Sequence, residues 1–448
     1  MLVHIPSRHA RLSFSIGLIL IVSILFSQPL PADASLNEPA PTDLTTSSPD
    51  FPLPFSPLLA WSRNIQAVAY EIEFFNHEPT GLPHNELSDE SIFHTTEVYK
   101  NYYNPPLASF AAASLGKEPL FWRVRALGMG TVPISAFSEV TPLFTSPERA
   151  SMDAPVPETA PADAYGSLML YPVYSWVAPT GAASFEVDIF SEDPEQNHAA
   201  QPLATLHAAF SELYDPSPRY GNHPFYWRVR ALDDKGQQLG HWSAVSHFTT
   251  APAEAPPIAI FGDSISHGGG HISYGPEDLE FSWPHYLDFP TINLSQSGDT
   301  SQMMVQRFEA DVLPFHPKYL LIMGGSNSLR GGVPAEDVIH DLETIRQKCL
   351  SNGIKPILLT LPPIHPENIK RAFAEPTADD WQSSFASVNK YIQTQVHVDT
   401  GSAIPAPEGV LPTEYGLDGL HPDPSGKALM GQAVNAAWAE VSQEADQE

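Results

Sequence analysis

The stretch Ile258-Ala-Ile-Phe-Gly-Asp-Ser-Ile-Ser266 decides the fold of the carboxyl-terminal part of this chain of 448 residues. Its apolar run is typical of a buried strand of a parallel sheet, and its end at Gly262-Asp-Ser264 predicts a tight turn. Ligands bind in the crevice beyond the carboxyl ends of such strands, so Ser264 is a candidate nucleophile. The alternative is that Asp263 and Ser264 only cap the helix that follows, because both residue types are favoured at helix amino ends.

From Pro257 onward, apolar strand patterns alternate with segments of helical spacing. The predicted strands are 258–261, 291–294, 318–323, 355–361 and a weaker one at 396–398. The predicted helices are 300–313, 334–350, 379–395 and 425–441. This alternation predicts an α/β domain over residues 257–448, a three-layer fold in which helices cover both faces of a parallel sheet.

Side chains with functional potential follow three of these strands and precede the last helix. They stand in Gly262-Asp-Ser264, Ser295-Gln-Ser-Gly298, Gly324-Gly-Ser-Asn327 and Asp418-Gly-Leu-His421. Serine, glycine, asparagine and histidine in this order, at successive strand ends, resemble the GDSL/SGNH hydrolase family from about residue 257 to the end of the chain. The resemblance implies an SGNH hydrolase-like fold and a serine esterase that uses no metal and no organic cofactor.

These residues supply the parts of an acyl-transfer mechanism. His421 can take the proton of Ser264 as the hydroxyl attacks an ester carbonyl. Asp418, three residues earlier, can orient the imidazole and stabilise the imidazolium. The backbone N–H groups of Ser264 and Gly298 and the side-chain amide of Asn327 can form the oxyanion hole. The sequence therefore predicts a Ser264–His421–Asp418 triad that works through an acyl-enzyme.

Two other patterns in the domain compete with this assignment. Asp337-Val-Ile-His340 has the same Asp-x-x-His spacing, but it falls inside a predicted helix. His267-Gly-Gly-Gly270 is similar to a lipase oxyanion loop, yet that loop accompanies Gly-x-Ser-x-Gly, which the chain lacks, so we predict a flexible loop beside Ser264. His267 and His271 have no carboxylate or thiol spaced for a metal site.

The chain departs from the family pattern beside Asn327. The family usually has an aspartate after this asparagine, whereas here Ser328 follows. That aspartate is not among the residues assigned to catalysis. The difference therefore bears on the local geometry at Asn327 rather than on activity.

Two segments ahead of this domain repeat each other. The matching pairs are Trp61 with Trp176, 70–75 with 185–190, and 121–127 with 226–232. Apolar and polar residues alternate in these stretches, which predicts strands with one face on a core. Residues 57–146 and 165–250 each resemble a fibronectin type III-like module, an all-β sandwich of two antiparallel sheets.

Each module carries a Trp-Arg-Val-Arg-Ala stretch, whose arginines are Arg123 and Arg125 in the first copy and Arg228 and Arg230 in the second. We expect these arginines on the solvent face of a strand rather than in a ligand-binding stripe. The modules themselves are interpreted as spacers or adhesion modules. They would hold the third domain near a cell surface or a polysaccharide.

The amino terminus has the features of a secretory signal. Arg8 and Arg11 precede an apolar run at 12–26, and Ala32-Asp-Ala34 is a small-x-small cleavage site, so residues 1–34 are predicted to be a signal peptide. The apolar run of about 15 residues is short of the roughly 20 that a spanning helix needs, although a retained anchor stays an alternative. The predicted location is extracellular or at the cell surface, with the periplasm as an alternative.

Three proline-rich tracts separate the predicted domains. They occupy residues 35–56, 147–164 and 251–257. Such tracts stay extended and build no core of their own, so all three are predicted to be linkers.

Composition excludes several classes of function. The formal net charge is −30 and only 22 residues are lysine or arginine, so a nucleic-acid partner is excluded and an anionic bilayer surface is disfavoured. Cys349 is the only cysteine, which rules out an internal disulfide. Its helical context predicts a buried thiol, and an intermolecular bridge stays open.

The sequence thus predicts a secreted serine esterase behind two β modules. Export, the β modules and the lack of a strongly apolar lid favour an acylated glycan, such as acetylated polysaccharide, as the substrate. A lipid or lysophospholipid esterase is the alternative with the same chemistry. A surface adhesion protein whose third domain has lost activity is the alternative from another class.

Overall fold

A computed structural model of the chain describes residues 36–81, 85–158 and 169–448. The predicted signal peptide at 1–34 lies outside the described residues, as do residues 159–164 of the second predicted linker. The described part contains two all-β units followed by an α/β domain, all within one compact unit from Ser35 to Glu448. No helix in this part of the chain has both the length and the apolar character needed to cross a membrane.

The first β unit is built from short antiparallel strands around an aromatic core. Its elements are β1 (Leu59–Ala60), β2 (Ala69–Phe75), β3 (Phe93–Val98), β4 (Tyr102–Tyr103), α1 (Leu107–Phe110), β5 (Leu120–Leu127), a 3₁₀ turn (Met129–Thr131) and β6 (Thr141–Leu143). The order β3-β2-β5-β6 forms one sheet, and β1 pairs with β4. The rings of Trp61, which follows β1, and Trp122 on β5 lie 6.0 Å apart, so the β1–β4 side packs on the larger sheet.

The second β unit has two sheets that face each other. Its strands are β7 (Val156–Glu158), β8 (Val173–Val177), β9 (Ser184–Phe190), β10 (Ala204–Ala208), β11 (Glu212–Tyr214), β12 (Phe225–Leu232), β13 (Gln238–Leu239) and β14 (Ser246–Phe248). One sheet has the order β11-β8-β7, and the other has the order β10-β9-β12-β13 with β14 also on β12. Tyr174 of the first sheet contacts Trp227 of the second with ring centroids 5.1 Å apart. The fibronectin type III-like assignment of both units stays a prediction.

The first two proline-rich tracts differ from the detached linkers that the sequence analysis expects. Within residues 36–56, the Thr45 N–H donates to the Ala60 carbonyl over 2.8 Å, and Leu53 and Phe55 pack against the core of the first unit. In the second tract, Val156–Glu158 is strand β7. The physical reason is that an extended proline-rich chain keeps unpaired backbone groups at its other residues, which can bond to a sheet edge.

The arginines of the first β unit are buried rather than solvent-facing, which corrects the sequence-based expectation. Arg123 is 1% exposed, and it donates from Nε to Glu73 over 2.6 Å and from Nη2 to the Glu86 carbonyl over 2.8 Å. Arg125 pairs in the same way with Glu71. Glu86 lies in the loop between β2 and β3, so this loop covers the arginine face of the strand.

The second β unit repeats this arrangement in a more open form. Arg228 and Arg230 are half-buried, and their guanidinium groups lie 4.2 Å and 4.7 Å from the ring of Trp242. Their carboxylate partners are Asp188 and Glu186. In both units the arginines therefore belong to internal packing and ion pairing.

The α/β domain has a sheet of five parallel strands, as predicted. The strands are β15 (Ile258–Gly262), β16 (Ile292–Asn293), β17 (Tyr319–Met323), β18 (Lys355–Leu359) and β19 (His397–Val398), in the order β16-β15-β17-β18-β19. The helices are α2 (Ser264–His267), α3 (Ser301–Asp311), α4 (Ser326–Arg330), α5 (Ala335–Ser351), α6 (Pro366–Phe373), α7 (Trp381–Ile392) and α8 (Pro424–Ala445). Single 3₁₀ turns lie at Pro252–Glu254, Leu279–Phe281, Trp283–Tyr286 and Leu313–Phe315. The sequence analysis anticipates α2 only as the helix that Asp263 and Ser264 would cap, and it does not predict α6 or the short α4.

The segment at residues 169–171, which precedes β8 of the second β unit, extends the α/β sheet. Met169 forms a parallel bridge with Asn293 on β16, and the Leu170 N–H donates to the Asn293 carbonyl over 2.8 Å. The Leu170 side chain is fully buried in the core of the α/β domain, and the Tyr171 hydroxyl donates to Asp311 over 2.7 Å. This segment therefore covers the exposed edge that β16 would otherwise present.

Because Leu170 fills the core of a domain that lies mainly beyond residue 257, Leu170→Ala is expected to destabilise that domain. The lost burial and the remaining cavity should lower the free energy of unfolding by about 2–5 kcal/mol. Urea unfolding followed by intrinsic fluorescence and by circular dichroism measures the change. Leu203→Ala is the matched control, because Leu203 is 52% exposed and its loss should change stability by less than about 0.5 kcal/mol. Equal stability of the two variants would contradict the role given to the segment.

Candidate active site

Ser264 lies where the β15 strand turns into helix α2. Asp263 is the amino-terminal cap of this helix, and its Oδ1 accepts from the Ile265 N–H over 3.0 Å. The Ser264 hydroxyl is left free by this cap, and its Oγ lies 2.9 Å from Nε2 of His421. Asp263 therefore caps helix α2, while the Ser264 hydroxyl contacts His421. The two roles considered in the sequence analysis, helix cap and candidate nucleophile, fall on two neighbouring residues.

His421 is held on its other side by Asp418. The distance from His421 Nδ1 to Asp418 Oδ2 is 2.7 Å, and Asp418 Oδ1 also accepts from the backbone N–H groups of Leu420 and His421, each over 2.8 Å. Burial alone would raise the pKa of Asp418, but His421 and these hydrogen bonds lower it below its ordinary value. An ionised Asp418 accepts from Nδ1–H, so Nε2 is left as an acceptor for the Ser264 proton.

The loop at residues 295–299, called the oxyanion loop after the role predicted for Gly298, lies next to the end of β15. The Gln296 N–H donates to the Gly262 carbonyl over 3.1 Å and so ties the loop to the strand that carries Ser264. Gly298 is exposed with φ of +88°, a conformation that side-chain-bearing residues rarely adopt. Apart from Gly298 and its two chain neighbours, no heavy atom of the described residues lies within 4 Å of the position that its Cβ would occupy, so the backbone here is open to a ligand.

Asn327 lies in the first turn of α4 and is bound to the same loop. Its Nδ2 donates to the Asp299 carbonyl over 3.0 Å, and its Oδ1 accepts from Arg330 over 3.2 Å. One amide hydrogen is used by the Asp299 carbonyl, and the amide has a second hydrogen that can donate elsewhere. The Oγ of Ser328 accepts from the Ser301 N–H over 3.0 Å, so the serine that replaces the family's aspartate is bonded to the start of α3.

Arg307 is a positioning group that the sequence analysis missed. From helix α3 it donates to Asp299 over 2.5 Å, to the Leu294 carbonyl over 2.6 Å and to the Gly262 carbonyl over 3.0 Å. It therefore holds both ends of the oxyanion loop and the end of β15 together. The only local signal was its spacing to Asp311 four residues later, to which it also donates over 3.0 Å.

Lys427 is a second missed residue, fully buried at the start of α8. Its Nζ donates to the Ile265 carbonyl over 2.6 Å. Burial lowers the pKa of Lys427 to about 8 and raises the pKa of Asp423 to about 7 and of Asp263 to about 6. The Lys427 ammonium is attracted by the carboxylates of Asp263, Asp418 and Asp423. Its positive charge therefore partly offsets the negative charge of these carboxylates next to helix α2.

The loop after Ser264 is anchored rather than flexible, which corrects the sequence-based interpretation of His267-Gly-Gly-Gly270. His267 lies 2.7 Å from the Tyr171 carbonyl through Nε2. The next residues bond to the first β unit, where His271 Nε2 lies 3.3 Å from the Ile65 carbonyl and the Tyr274 hydroxyl donates to the Asn64 carbonyl over 2.9 Å. Both histidines are thus engaged with backbone carbonyls.

The second Asp-x-x-His pair, Asp337 and His340, lies away from Ser264, His421 and Asp418. Asp337 and His340 are both exposed on α5, inside a helix as predicted. Cys349 is a buried free thiol, as expected, and burial raises its pKa above the usual range. The structure therefore brings Ser264, His421 and Asp418 into one hydrogen-bonded chain and leaves the second Asp-x-x-His pair outside it.

Comparisons with known proteins match the carboxyl-terminal domain. Residues 260–429 match the model of the GDSL-like Lipase/Acylhydrolase family. The chain is 29% identical over 182 residues to the uncharacterized lipoprotein YqeF of Bacillus subtilis, a match that covers 34% of this chain and 73% of that protein. It is 31% identical over 137 residues to the esterase TesA of Pseudomonas aeruginosa, covering 28% of this chain and 65% of that protein.

Among solved structures, the chain is similar to a GDSL-like lipase from Bacteroides thetaiotaomicron. The sequence identity is 20% and the TM-score 0.32, over 42% of this chain and 88% of that one. The similarity to GDSL-like lipases and acylhydrolases rests on the family model and the sequence relatives, together with the motifs at the strand ends. The match to the GDSL-like lipase/acylhydrolase family thus covers residues 260–429 of the carboxyl-terminal domain, and together with the esterase relative it supports a carboxylic ester hydrolase.

Proposed function

We propose that Ser264, His421 and Asp418 are the catalytic triad of this hydrolase. Ser264 Oγ attacks the ester carbonyl while its proton passes to His421 Nε2, and Asp418 stabilises the imidazolium. The imidazolium then protonates the leaving alcohol, which leaves an acyl group on Ser264. Water activated by neutral His421 releases the acid and restores the serine. The observation that carries this proposal is the hydrogen-bonded chain of 2.9 Å and 2.7 Å through the imidazole.

The proposed oxyanion hole consists of the N–H groups of Ser264 and Gly298 and the second amide hydrogen of Asn327. Support comes from the open backbone at Gly298 and from the hydrogen bond that ties Asn327 to the adjacent Asp299. Each such donor stabilises the transition state by about 2.7–4 kcal/mol in a serine hydrolase. No metal or organic cofactor is required for this chemistry.

We propose an acetyl ester on a carbohydrate as the substrate class. Several features favour it: the predicted secretory signal, the two β units with their predicted fibronectin type III-like fold, and a relative named a lipoprotein, which together point to export or the cell surface. The β units would then contact a cell surface or a polysaccharide. A lipid esterase shares the mechanism, and an inactive adhesion protein would share the location.

Acyl-chain preference and glycan deacetylation test this proposal. We expect p-nitrophenyl acetate to be hydrolysed with kcat/KM at least about 10-fold above p-nitrophenyl octanoate, because a pocket shaped for a short acyl group disfavours extra methylenes. We also expect acetate release from at least one member of a panel of acetylated polysaccharides. Preference for octanoate would favour the lipid esterase, and no burst of p-nitrophenol with either ester would favour the adhesion protein.

A further inference from the structure

We propose that His267 is a positioning residue for the oxyanion loop, and that the Tyr171 carbonyl, from the segment that precedes β8 in the second β unit, orients it. This inference rests on the proposed function, since it concerns the placement of Gly298 N–H. It assigns a role in the reaction to a part of the chain that lies outside the family-matched residues 260–429.

The hydrogen bonds of His267 define its tautomer. The Tyr171 carbonyl can only accept, so the hydrogen in the 2.7 Å contact lies on His267 Nε2. On the other side of the ring, Nδ1 accepts from the Ser297 N–H over 3.3 Å and lies 2.9 Å from Ser297 Oγ. Burial lowers the pKa of His267 to about 4, so the ring is neutral at neutral pH and Nδ1 is an acceptor.

The carbonyl that orients His267 is itself held in place. The Leu170 backbone is paired with β16, the Tyr171 hydroxyl donates to Asp311, and the guanidinium of Arg307 lies 5.6 Å from the Tyr171 ring centroid. His267 is only 2% exposed, so its ring has little freedom to move. The segment therefore presents a fixed acceptor to a fixed imidazole.

Gly298 lies between two anchored neighbours. On one side Ser297 is bound by His267, and on the other side Asp299 is bound by Arg307 over 2.5 Å. Gly298 has no side chain and is exposed, so these neighbours determine where its N–H points. A donor that is displaced by a fraction of an ångström loses much of its stabilisation of the oxyanion, which forms only in the transition state. Loss of the His267 anchor should therefore lower kcat and leave KM nearly unchanged.

Two substitutions test separately the two hydrogen bonds that the His267 ring makes, one to Ser297 and one to the Tyr171 carbonyl. His267→Asn places an amide near the position of Nδ1 and can still accept from Ser297, whereas His267→Gln reaches the position of Nε2 and can bind only the Tyr171 carbonyl. His271→Gln is the matched control, because this second buried histidine of the loop bonds to the Ile65 carbonyl and not to Ser297. All variants are made in the full chain, and their kcat and KM are measured with p-nitrophenyl acetate as the substrate.

We expect His267→Gln to lower kcat by about 10- to 100-fold with KM changed less than about 3-fold. His267→Asn keeps an acceptor for Ser297 but loses the Tyr171 bond that orients the ring, so its kcat should lie between those of His267→Gln and wild type, and His271→Gln should match wild type. Wild-type kcat in His267→Asn would contradict the role given to the Tyr171 carbonyl. Hydrogen–deuterium exchange of a peptide that spans residues 295–299 should be faster in His267→Gln alone. Unchanged kcat and exchange in His267→Gln, or equal losses in all three variants, would overturn the inference.

The exchange measurement also separates this inference from the proposed function. If the wild-type chain hydrolyses no ester but exchange at residues 295–299 still rises only in His267→Gln, the proposed function fails and only the structural anchoring of this loop by His267 stands. If the chain is an active esterase and His267→Gln changes neither kcat nor exchange, the positioning role alone fails.

Discussion

Ser264→Ala is expected to lower kcat for p-nitrophenyl acetate by about 10⁴-fold or more, because it removes the nucleophile that forms the acyl-enzyme. The hydroxyl makes one described side-chain hydrogen bond, to His421, and Ser264 is half-buried. Its removal should therefore leave the fold and the unfolding midpoint close to wild type. Steady-state kinetics and thermal unfolding measure both quantities.

Ser402→Ala is a matched control for this substitution. Ser402 is an exposed serine that follows β19, at the same carboxyl edge of the sheet as Ser264. Its removal should leave kcat within about 2-fold of wild type, as expected for a surface substitution away from the reacting groups. Turnover by Ser264→Ala at a rate close to that of Ser402→Ala would mean that the nucleophile lies elsewhere.

His421→Gln is expected to reduce kcat to a similar extent, about 10⁴-fold, because glutamine keeps a polar group near the serine but cannot take its proton near neutral pH. KM should change little, since the lost interaction acts in the transition state. A double variant with Ser264→Ala should be no slower than either single variant. Triad residues act as one unit, so their effects do not add.

The chain contains its own control for His421. His340 has the same spacing to an aspartate, but it is exposed on α5. We therefore expect His340→Gln to have wild-type kcat. Additive losses in the Ser264→Ala and His421→Gln double variant, or a loss in His340→Gln equal to that in His421→Gln, would be incompatible with a single proton-transfer unit.

Much of the α/β domain could be predicted because its information is local. Strands such as 258–261 and 318–323 are continuous apolar runs, and helices such as 334–350 have regular apolar spacing, so each can be identified without knowing its neighbours. Parallel strands bring their carboxyl ends to one edge. The order of Ser264 and His421 along the chain, at such ends and in the late loop, was therefore enough to predict that the two would lie close together.

The residues that position the site carried no such local signal. Arg307 holds Asp299 and the Gly262 carbonyl, and His267 bonds to Tyr171, through contacts between distant parts of the chain. A single polar residue in a helix or loop has no periodic pattern that predicts its partner. The glycines after Ser264 therefore predict a flexible loop, although the loop is anchored through His267, His271 and Tyr274.

The same limit applies to what the proline-rich tracts contact. Composition predicts that a proline-rich tract is extended, but it does not predict what the extended chain lies against. Residues 36–56 and 156–158 bond to the β units, and Met169 and Leu170 extend the α/β sheet. Both β units are consequently joined to the α/β domain, the second by backbone pairing at Met169 and Leu170 and the first by the anchored loop.

Covalent labelling of the full chain with diisopropyl fluorophosphate, followed by peptide mass spectrometry, tests the central claim most directly. This reagent phosphorylates a serine only where a base activates the hydroxyl and an oxyanion hole binds the phosphoryl oxygen. We predict a single adduct, on the peptide that contains Ser264, with labelling lost in Ser264→Ala and in His421→Gln. An adduct on another residue, or full esterase activity after treatment with no adduct at Ser264, would contradict the account.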